Sequence, residues 1–118
     1  YGDGTSMRDY TYIDDIVDGV IASLNSDNKI SEIINLGNSS PISLNKFIEL
    51  CEKVTNKKAK FDQLGDQLGD VPITFADISK ANKLLNYKPK VNLEEGLLRT
   101  LDWLKKYNAT ENKFSITY

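Results

Sequence analysis

The sequence predicts an α/β fold, a small mixed lobe of short strands and about four helices. Four segments place apolar residues three or four positions apart, which is the spacing of an amphipathic helix. Short runs rich in β-branched and aromatic residues lie between these segments, as is typical of short strands. Because no linker separates two cores, the 118 residues are expected to form one unit.

The first predicted elements are a strand over residues 8–13 and a helix that begins at Ile13. Aromatic and β-branched residues alternate in the strand segment. Asp14 and Asp15 fall in the first turn of the helix, where the helix dipole favours anions. The expected buried stripe of this helix consists of Ile13, Ile16, Val17, Val20, Ile21 and Leu24.

Two further strands and a second helix are predicted in the middle of the chain. The apolar run 33–36 and the segment 58–61 are the expected strands, and 38–41 is a loop. Ser43 is the expected N-cap of the second helix. Its inner face would consist of Leu44, Phe47, Ile48, Cys51 and Val54. The lone Cys51 is interpreted as a small core residue, and the tandem Gln-Leu-Gly-Asp at 63–66 and 67–70 as a loop.

The C-terminal part predicts a short extended piece and two more helices. Residues 73–76 are extended, and Asp77 is expected to cap a third helix that ends before the proline at position 89. Its inward residues would be Ile78, Ala81 and Leu85. Asn92 begins the last helix, with Glu95 at the capping-box position. Its apolar side chains are Leu93, Leu97, Leu98, Leu101, Trp103 and Leu104. Residues 108–118 are expected to be a flexible tail.

Composition narrows the possible functions. The net charge of −2 provides no basic field for nucleic acid or for an anionic membrane, and no apolar run approaches the ~20 residues of a membrane span. The chain has no His, so Asp14, Asp15 and Asp18 are better explained as a solvated helix face than as a metal site. No export signal is visible at the first residues, and we expect a cytoplasmic protein.

Four motifs occur in an order that resembles the C-terminal portion of the NAD-dependent nucleotide-sugar epimerases and dehydratases. They are the segment 2–16, Ile34-Asn35-Leu36-Gly37, Gly69-Asp70-Val71-Pro72, and Tyr87-Lys88-Pro89 followed by the helix at 93–103. Each motif is unspecific alone, but the series covers residues 2 to about 106. The chain is most similar to the UDP-glucuronate 4-epimerase branch. The resemblance implies that the lobe is a fragment of an extended Rossmann-type enzyme, with residues 1–107 as its nucleotide-sugar-binding domain.

The resemblance implies substrate-binding roles for Arg8, Gln67 and Asp70. Arg8 would lie against the phosphates, since a guanidinium stays charged and offers forked donors. Asp70 would accept hydrogen bonds from the ribose hydroxyls. Gln67 stands where many relatives have a phosphate-binding arginine, which favours the glucuronate branch. From the residues alone, Arg8 is more simply a surface residue paired with Asp9 or Asp14, and Asp70 part of an ordinary Gly-Asp turn.

Asp70 is preferred to Asp66, its counterpart in the tandem repeat, because Val71-Pro72 follows it as in the family.

Residues for the chemistry itself are not expected in this chain. No Tyr has a Lys four positions later, so the Tyr-x-x-x-Lys pair of the family is absent. Gly2-x-Gly4 begins like a dinucleotide fingerprint, but Met7 occupies the position of the third glycine. We therefore expect no catalytic residue and no bound cofactor here, with NAD held by the full-length parent.

The expected function is binding of a UDP-sugar within an NAD-dependent 4-epimerase that acts on UDP-glucuronate, with the chain alone inert. In the implied reaction a hydride leaves sugar C4, the 4-keto intermediate rotates, and the hydride returns to the other face. Two alternatives remain: a portion of a nucleotide-sugar 4,6-dehydratase, and a non-catalytic ligand-binding or interaction module derived from the family. The expected partners are the UDP-sugar and an N-terminal dinucleotide-binding domain, in a homodimeric parent without nucleic acid or membrane.

Overall fold

The computed structural model describes residues 1–27 and 31–111, with side chains up to residue 107. Within these ranges the chain forms four helices and one two-stranded antiparallel sheet. The helices are α1 (Ile13–Leu24), α2 (Leu44–Thr55), α3 (Ser79–Leu85) and α4 (Leu93–Glu111). The strands are β1 (Met7–Arg8) and β2 (Ile42–Ser43). The predicted class, a small α/β lobe with four helices, is confirmed.

Strand β1 has neighbours on both sides. In the sheet, Met7 is opposite Ser43 and Arg8 is opposite Ile42. On the other side, the Met7 amide donates to the Pro72 carbonyl at 2.8 Å, and the Thr74 amide donates to the Met7 carbonyl at 3.2 Å. The predicted extended piece at 73–76 therefore runs parallel to β1 through a single bridge at residue 73.

Strand β1 is shorter than the predicted strand at 8–13. Backbone pairing stops after Arg8 because the carboxylate of Asp9 accepts the next amides on both sides. These amides belong to Ser39, Ser40 and Ala76, at 2.9, 3.1 and 3.2 Å. A side chain thus replaces the ladder hydrogen bonds that would have extended the strand.

The predictions of strands at 33–36 and 58–61 were wrong. A strand requires a partner, and within the described residues neither segment has one. The carbonyl of Ile33 accepts instead from the Lys80 ammonium at 3.0 Å. The amide of Ala59 donates to the Glu52 carboxylate at 2.9 Å, which attaches that segment to the end of α2.

Helix α1 begins at the predicted residue but packs with a different face. Its apolar stripe is largely exposed, from 44% at Val17 to 79% at Leu24. Its buried residues are Asp15 and Gly19. A Cβ on Gly19 would lie 2.7 Å from side-chain carbons of Leu36, so the glycine allows this close contact. The expectation of a buried apolar stripe on α1 was therefore wrong.

The interpretation of the α1 carboxylates as a solvated face holds for Asp14 and Asp18 and was wrong for Asp15. Asp14 and Asp18 are exposed, and Asp18 pairs with Lys90 at 2.9 Å. Asp15 is only 2% exposed because it points into the lobe, where it accepts backbone amides. Among the described residues, no group of three or more His, Cys, Asp or Glu is placed to hold a metal ion.

Side-chain caps fix the start of the remaining helices. The Ser43 hydroxyl accepts the Lys46 amide at 3.2 Å, as predicted for the N-cap of α2. Asp77 accepts the Ser79 amide at 2.9 Å, although the N-cap position of α3 is Ile78. Asn92 accepts the Glu95 amide at 3.0 Å. The other half of the predicted capping box does not form, since the Glu95 carboxylate pairs with Arg99 at 2.5 Å.

The interior of the lobe is small. Its most buried apolar side chains among the described residues are Ala81, Tyr87 and Val91, which are at most 8% exposed. The predicted inner faces of α2 and α4 are half-buried, while Leu98 and Trp103 are exposed. Cys51, interpreted from the sequence as a small core residue, is only half-buried, and this partial burial raises the pKa of its thiol.

Helix α4 reaches Glu111, four residues into the segment expected as a tail. Residues 112–118 of that expected tail lie outside the described residues. None of the described helices is long and apolar enough to cross a membrane.

Candidate functional site

Arg8 and Asp70 form an ion pair across 62 positions of sequence. Nη2 of Arg8 donates to Oδ1 of Asp70, and Nη1 donates to the Met7 carbonyl at 2.7 Å. The two side chains are 29% and 49% exposed. These bonds use two of the five N–H donors of the guanidinium and one carboxylate oxygen. Both groups therefore keep hydrogen-bonding capacity on their solvent-facing side.

The register of the backbone explains how the two residues meet. Arg8 ends β1, and the segment from Pro72 to Thr74 is hydrogen-bonded to Met7. Asp70 lies two residues before this segment, at the end of a turn in which its amide donates to the Gln67 carbonyl at 3.1 Å. Gly69 supplies a φ of +84° in that turn, a conformation that side chains disfavour.

The alternative partners of Arg8 suggested by the sequence, Asp9 and Asp14, are engaged elsewhere. Asp9 accepts the three backbone amides described above. Asp14 lies 3.4 Å from the guanidinium of Arg99. Asp9 thereby ties the loop before β2 and the segment before α3 to β1, on which Arg8 lies. Sequence reasoning missed this positioning role, because a carboxylate next to an arginine is indistinguishable from an ordinary ion-pair partner.

A cleft of about 300 Å³ opens beside the ion pair. Residues 1–6, Asp66, Gln67 and the segment 70–72 line it. The lining thus includes Gln67 and Asp70, two of the three residues for which the family resemblance implies substrate contacts. Arg8, the third, is not in the lining but contacts Asp70, which is.

The cleft is acidic. Its described lining contains Asp3, Asp66 and Asp70 but neither Lys nor Arg. The hydroxyl and the amide of Thr5 donate to Asp3 at 2.5 and 2.9 Å. The hydroxyl, and then the amide, lower the pKa of the Asp3 carboxyl, so this group is ionised at neutral pH. Such a lining suits ligand hydroxyls, which donate to carboxylates, better than it suits bare anions.

The two copies of the tandem repeat have different contacts. In the first copy, the carbonyls of Leu64 and Gly65 accept the Gly2 amide at 3.0 and 3.3 Å. In the second copy, Asp70 binds Arg8. The first copy of the repeat thus holds the N-terminal turn through backbone hydrogen bonds, and the second copy holds Arg8 through an ion pair.

The N-terminal turn does not fit a dinucleotide. Gly2 and Gly4 have φ angles of +66° and +80°, as in a glycine-dependent turn. The chain then enters β1, whereas a dinucleotide pyrophosphate binds where such a turn opens a helix. We therefore derive no role for these glycines in holding NAD.

Sequence comparison identifies the family to which this chain belongs. Residues 1–100 match the family model described as GDP-mannose 4,6 dehydratase. The chain is 53% identical over 107 residues to the UDP-glucuronate 4-epimerase of Thermodesulfobacterium geofontis (strain OPF15), covering 90% of this chain and 32% of that protein. The chain belongs to the NAD-dependent epimerase/dehydratase family, and within it is most like UDP-glucuronate 4-epimerase.

Solved structures agree with this assignment. The UDP-glucuronic acid 4-epimerase of Bacillus cereus, in complex with UDP-glucuronic acid and NAD, matches with a TM-score of 0.82 and 41% identity. That match covers 91% of this chain and 34% of the other. The UDP-glucose 4-epimerase of Thermotoga maritima, with UDP-glucose, matches with a TM-score of 0.81 and 31% identity. This match covers 91% of this chain and 34% of the other. The chain thus spans about a third of the length of these relatives, and its predicted relation to Rossmann-type epimerases is confirmed.

Proposed function

We propose that this chain is the UDP-sugar-binding portion of an NAD-dependent UDP-glucuronate 4-epimerase, with residues 1–107 as its nucleotide-sugar-binding domain. The observation that carries the proposal is the Arg8–Asp70 pair at the cleft that Gln67 also lines. The 53% identity to a UDP-glucuronate 4-epimerase supports this branch of the family.

Each site residue has a chemical role in this proposal. The unused N–H donors of Arg8 bind the diphosphate, since a guanidinium matches phosphate oxygens in charge and geometry. The carboxylate of Asp70 accepts the ribose hydroxyls. The amide of Gln67 hydrogen-bonds without adding charge.

The role of the chain is to bind and orient the substrate, which lowers the entropic part of the barrier. The sequence has no Tyr-x-x-x-Lys pair, and its glycine turn opens a strand rather than a helix. In the proposal, NAD and the acid–base groups belong to another domain of the full-length parent. The chain alone therefore produces no UDP-galacturonate from UDP-glucuronate and NAD.

A 4,6-dehydratase is the second candidate, because the matching family model carries that description. A dehydratase eliminates water between C5 and C6 and needs a hydroxyl on C6, which the carboxylate of UDP-glucuronate lacks. Turnover of UDP-glucuronate to its C4 epimer by the full-length parent favours the epimerase. Conversion of GDP-mannose to a 4-keto-6-deoxy sugar favours the dehydratase.

Calorimetric titration of UDP into the full-length parent tests the binding role. Removal of the Arg8 contact to phosphate costs about 1.5–3 kcal/mol, so Arg8→Ala should weaken UDP binding about tenfold to a hundredfold. Asp66→Ala is the comparison variant, because Asp66 lines the same cleft in the other copy of the repeat, and it should have a much smaller effect. Absence of UDP binding in the unmodified protein, or equal effects of the two variants, would refute the proposal.

A further inference from the structure

We infer that Asp70 is a specificity-determining residue that disfavours bare phosphate and pyrophosphate at Arg8 and favours nucleotides. The inference rests on the proposed function, because it concerns the same site. It follows from the direct contact between the two side chains, which gives Asp70 an effect on the phosphate position in addition to its contact with ribose.

The charges around Arg8 provide the first step of the argument. Its guanidinium is neutralised by Asp70 before any ligand arrives. The adjacent cleft adds the carboxylates of Asp3 and Asp66, and its described lining has no Lys or Arg. A multiply charged anion at Arg8 therefore approaches a guanidinium whose positive charge is already balanced by the Asp70 carboxylate. The other carboxylates of the cleft repel the anion and oppose its binding.

The hydrogen-bonding inventory distinguishes a nucleotide from a bare anion. Pyrophosphate has no ribose hydroxyls, and most of its oxygens are hydrogen-bond acceptors, so it offers few donors to the Asp70 carboxylate. A nucleotide carries ribose hydroxyls, which donate to a carboxylate and offset part of the repulsion. One oxygen of Asp70 holds Arg8, and the other is left to accept such a donor.

The geometry allows both contacts at once. Arg8 is also held by the Met7 carbonyl at 2.7 Å, so its guanidinium has a second anchor besides Asp70. Phosphate oxygens can use its remaining donors while the ion pair persists. Asp70 thus combines an attractive contact for nucleotides with a repulsive one for their competitors, a common way to obtain specificity.

The test is calorimetric titration of UDP and of pyrophosphate into the full-length parent and its Asp70→Ala variant at one low salt concentration. Loss of hydrogen bonds to a charged group should weaken UDP binding about tenfold. Loss of the negative charge should strengthen pyrophosphate binding, about threefold to tenfold, and less at high salt. Opposite signs for the two ligands are the expected result.

Two control variants test whether the effect of Asp70→Ala comes from the smaller side chain or from the change in the net charge of the protein. Asp70→Asn keeps the size of the side chain and should also strengthen pyrophosphate binding. Asp62→Ala removes an exposed carboxylate that is not in the lining of the cleft, and should change neither affinity appreciably.

Weaker binding of both ligands by Asp70→Ala and Asp70→Asn would overturn the inference, because Asp70 would then only position Arg8. The binding role of the site would survive that result. Failure of the unmodified protein to bind UDP would instead refute the proposed function itself.

Discussion

The carboxylate of Asp15 accepts the backbone N–H of Val91 at 3.1 Å in the interior of the lobe. Its other oxygen accepts the N–H of Lys90 at 2.9 Å, and the residue is 2% exposed. The first turn of α1 is thus joined to the residues that precede α4 by a buried carboxylate. Buried polar groups of this kind contribute most when every partner is satisfied.

Asp15→Ala should destabilise the lobe more than any change of the exposed carboxylates on α1. It leaves two backbone N–H groups without their partner, at a cost of roughly 1–3 kcal/mol for each group. Asp14→Ala is the matched control, because Asp14 is adjacent and exposed, and its ion pair with Arg99 is a surface contact. Urea unfolding of both variants measures the difference.

Asp15→Asn refines this prediction. The amide of asparagine retains one acceptor oxygen but replaces the other with an NH₂ group that has no acceptor there. The stability of Asp15→Asn to urea should therefore lie between that of Asp15→Ala and that of the unmodified chain. If Asp15→Ala unfolds at the same urea concentration as Asp14→Ala, the buried carboxylate does not hold α1 in place.

Three Gly→Ala substitutions should show how much destabilisation comes from a steric clash of the new Cβ and how much comes from backbone strain. Gly4→Ala combines a φ of +80° with a Cβ that would lie 2.0 Å from Oδ1 of Asn45. Gly69→Ala has a φ of +84° but open space, and Gly65→Ala has neither constraint. The left-handed conformation costs a non-glycine residue roughly 1–2 kcal/mol, so the destabilisation should decrease in the order given.

Thermal melts of the three variants under one condition provide the comparison. Equal melting temperatures for Gly4→Ala and Gly65→Ala would show that the N-terminal turn adjusts without cost.

The prediction of helix starts from sequence succeeded where the signal was local. Ser43 and Asn92 cap α2 and α4 with their own side chains, three residues from the amides they accept. A cap needs no distant partner, so its spacing alone identifies it. The tandem repeat at 63–70 predicts a loop for a similar reason, since its glycines allow turns wherever the segment lies.

The prediction failed where the outcome depends on distant residues. Asp15 is buried because the amides 75 and 76 positions later need an acceptor, and periodicity gives no sign of them. The segments 33–36 and 58–61 have strand-like composition but no strand beside them among the described residues. The family resemblance implies substrate contacts for Arg8 and for Asp70, but no motif or spacing in the sequence predicts that the two side chains contact each other.

The pKa of Asp77 should depend on the Ser79 hydroxyl. Hydrogen bonds from the Ser79 side chain, and then from its amide at 2.9 Å, lower the pKa of the Asp77 carboxyl. Ser79→Ala removes the first donor and should return the pKa toward its ordinary value of about 3.9. Carboxyl NMR titration of the unmodified chain and of Ser79→Ala measures this shift.

The sign of the pH effect follows from the lowered pKa. A carboxyl whose pKa is lower in the folded state stabilises the fold above its unfolded pKa, and this contribution is lost as pH falls through the folded value. The capping contribution to α3 should therefore be constant at neutral pH and disappear only in acid, below about pH 4. An unchanged Asp77 pKa in Ser79→Ala would exclude the hydroxyl as the cause.

Self-association of the chain on its own should depend on the apolar stripe of α1. Ile13, Val17, Val20, Ile21 and Leu24 are between 44% and 79% exposed. Contiguous apolar surface of this kind promotes association in water. The double variant Val17→Lys, Ile21→Lys should reduce the concentration dependence of the sedimentation coefficient. Leu68→Lys is the control, since Leu68 is 97% exposed but lies in the loop at 63–70.

The same double variant should have the opposite consequence in the full-length parent. There we expect the dinucleotide-binding domain to cover α1, so two buried lysines would face apolar surface without partners and lower the melting temperature. The control Leu68→Lys should change little in either context. A sharp, concentration-independent boundary for the unmodified chain would contradict the first expectation. An unchanged melting temperature of the parent variant would show that the stripe of α1 is not covered by that domain.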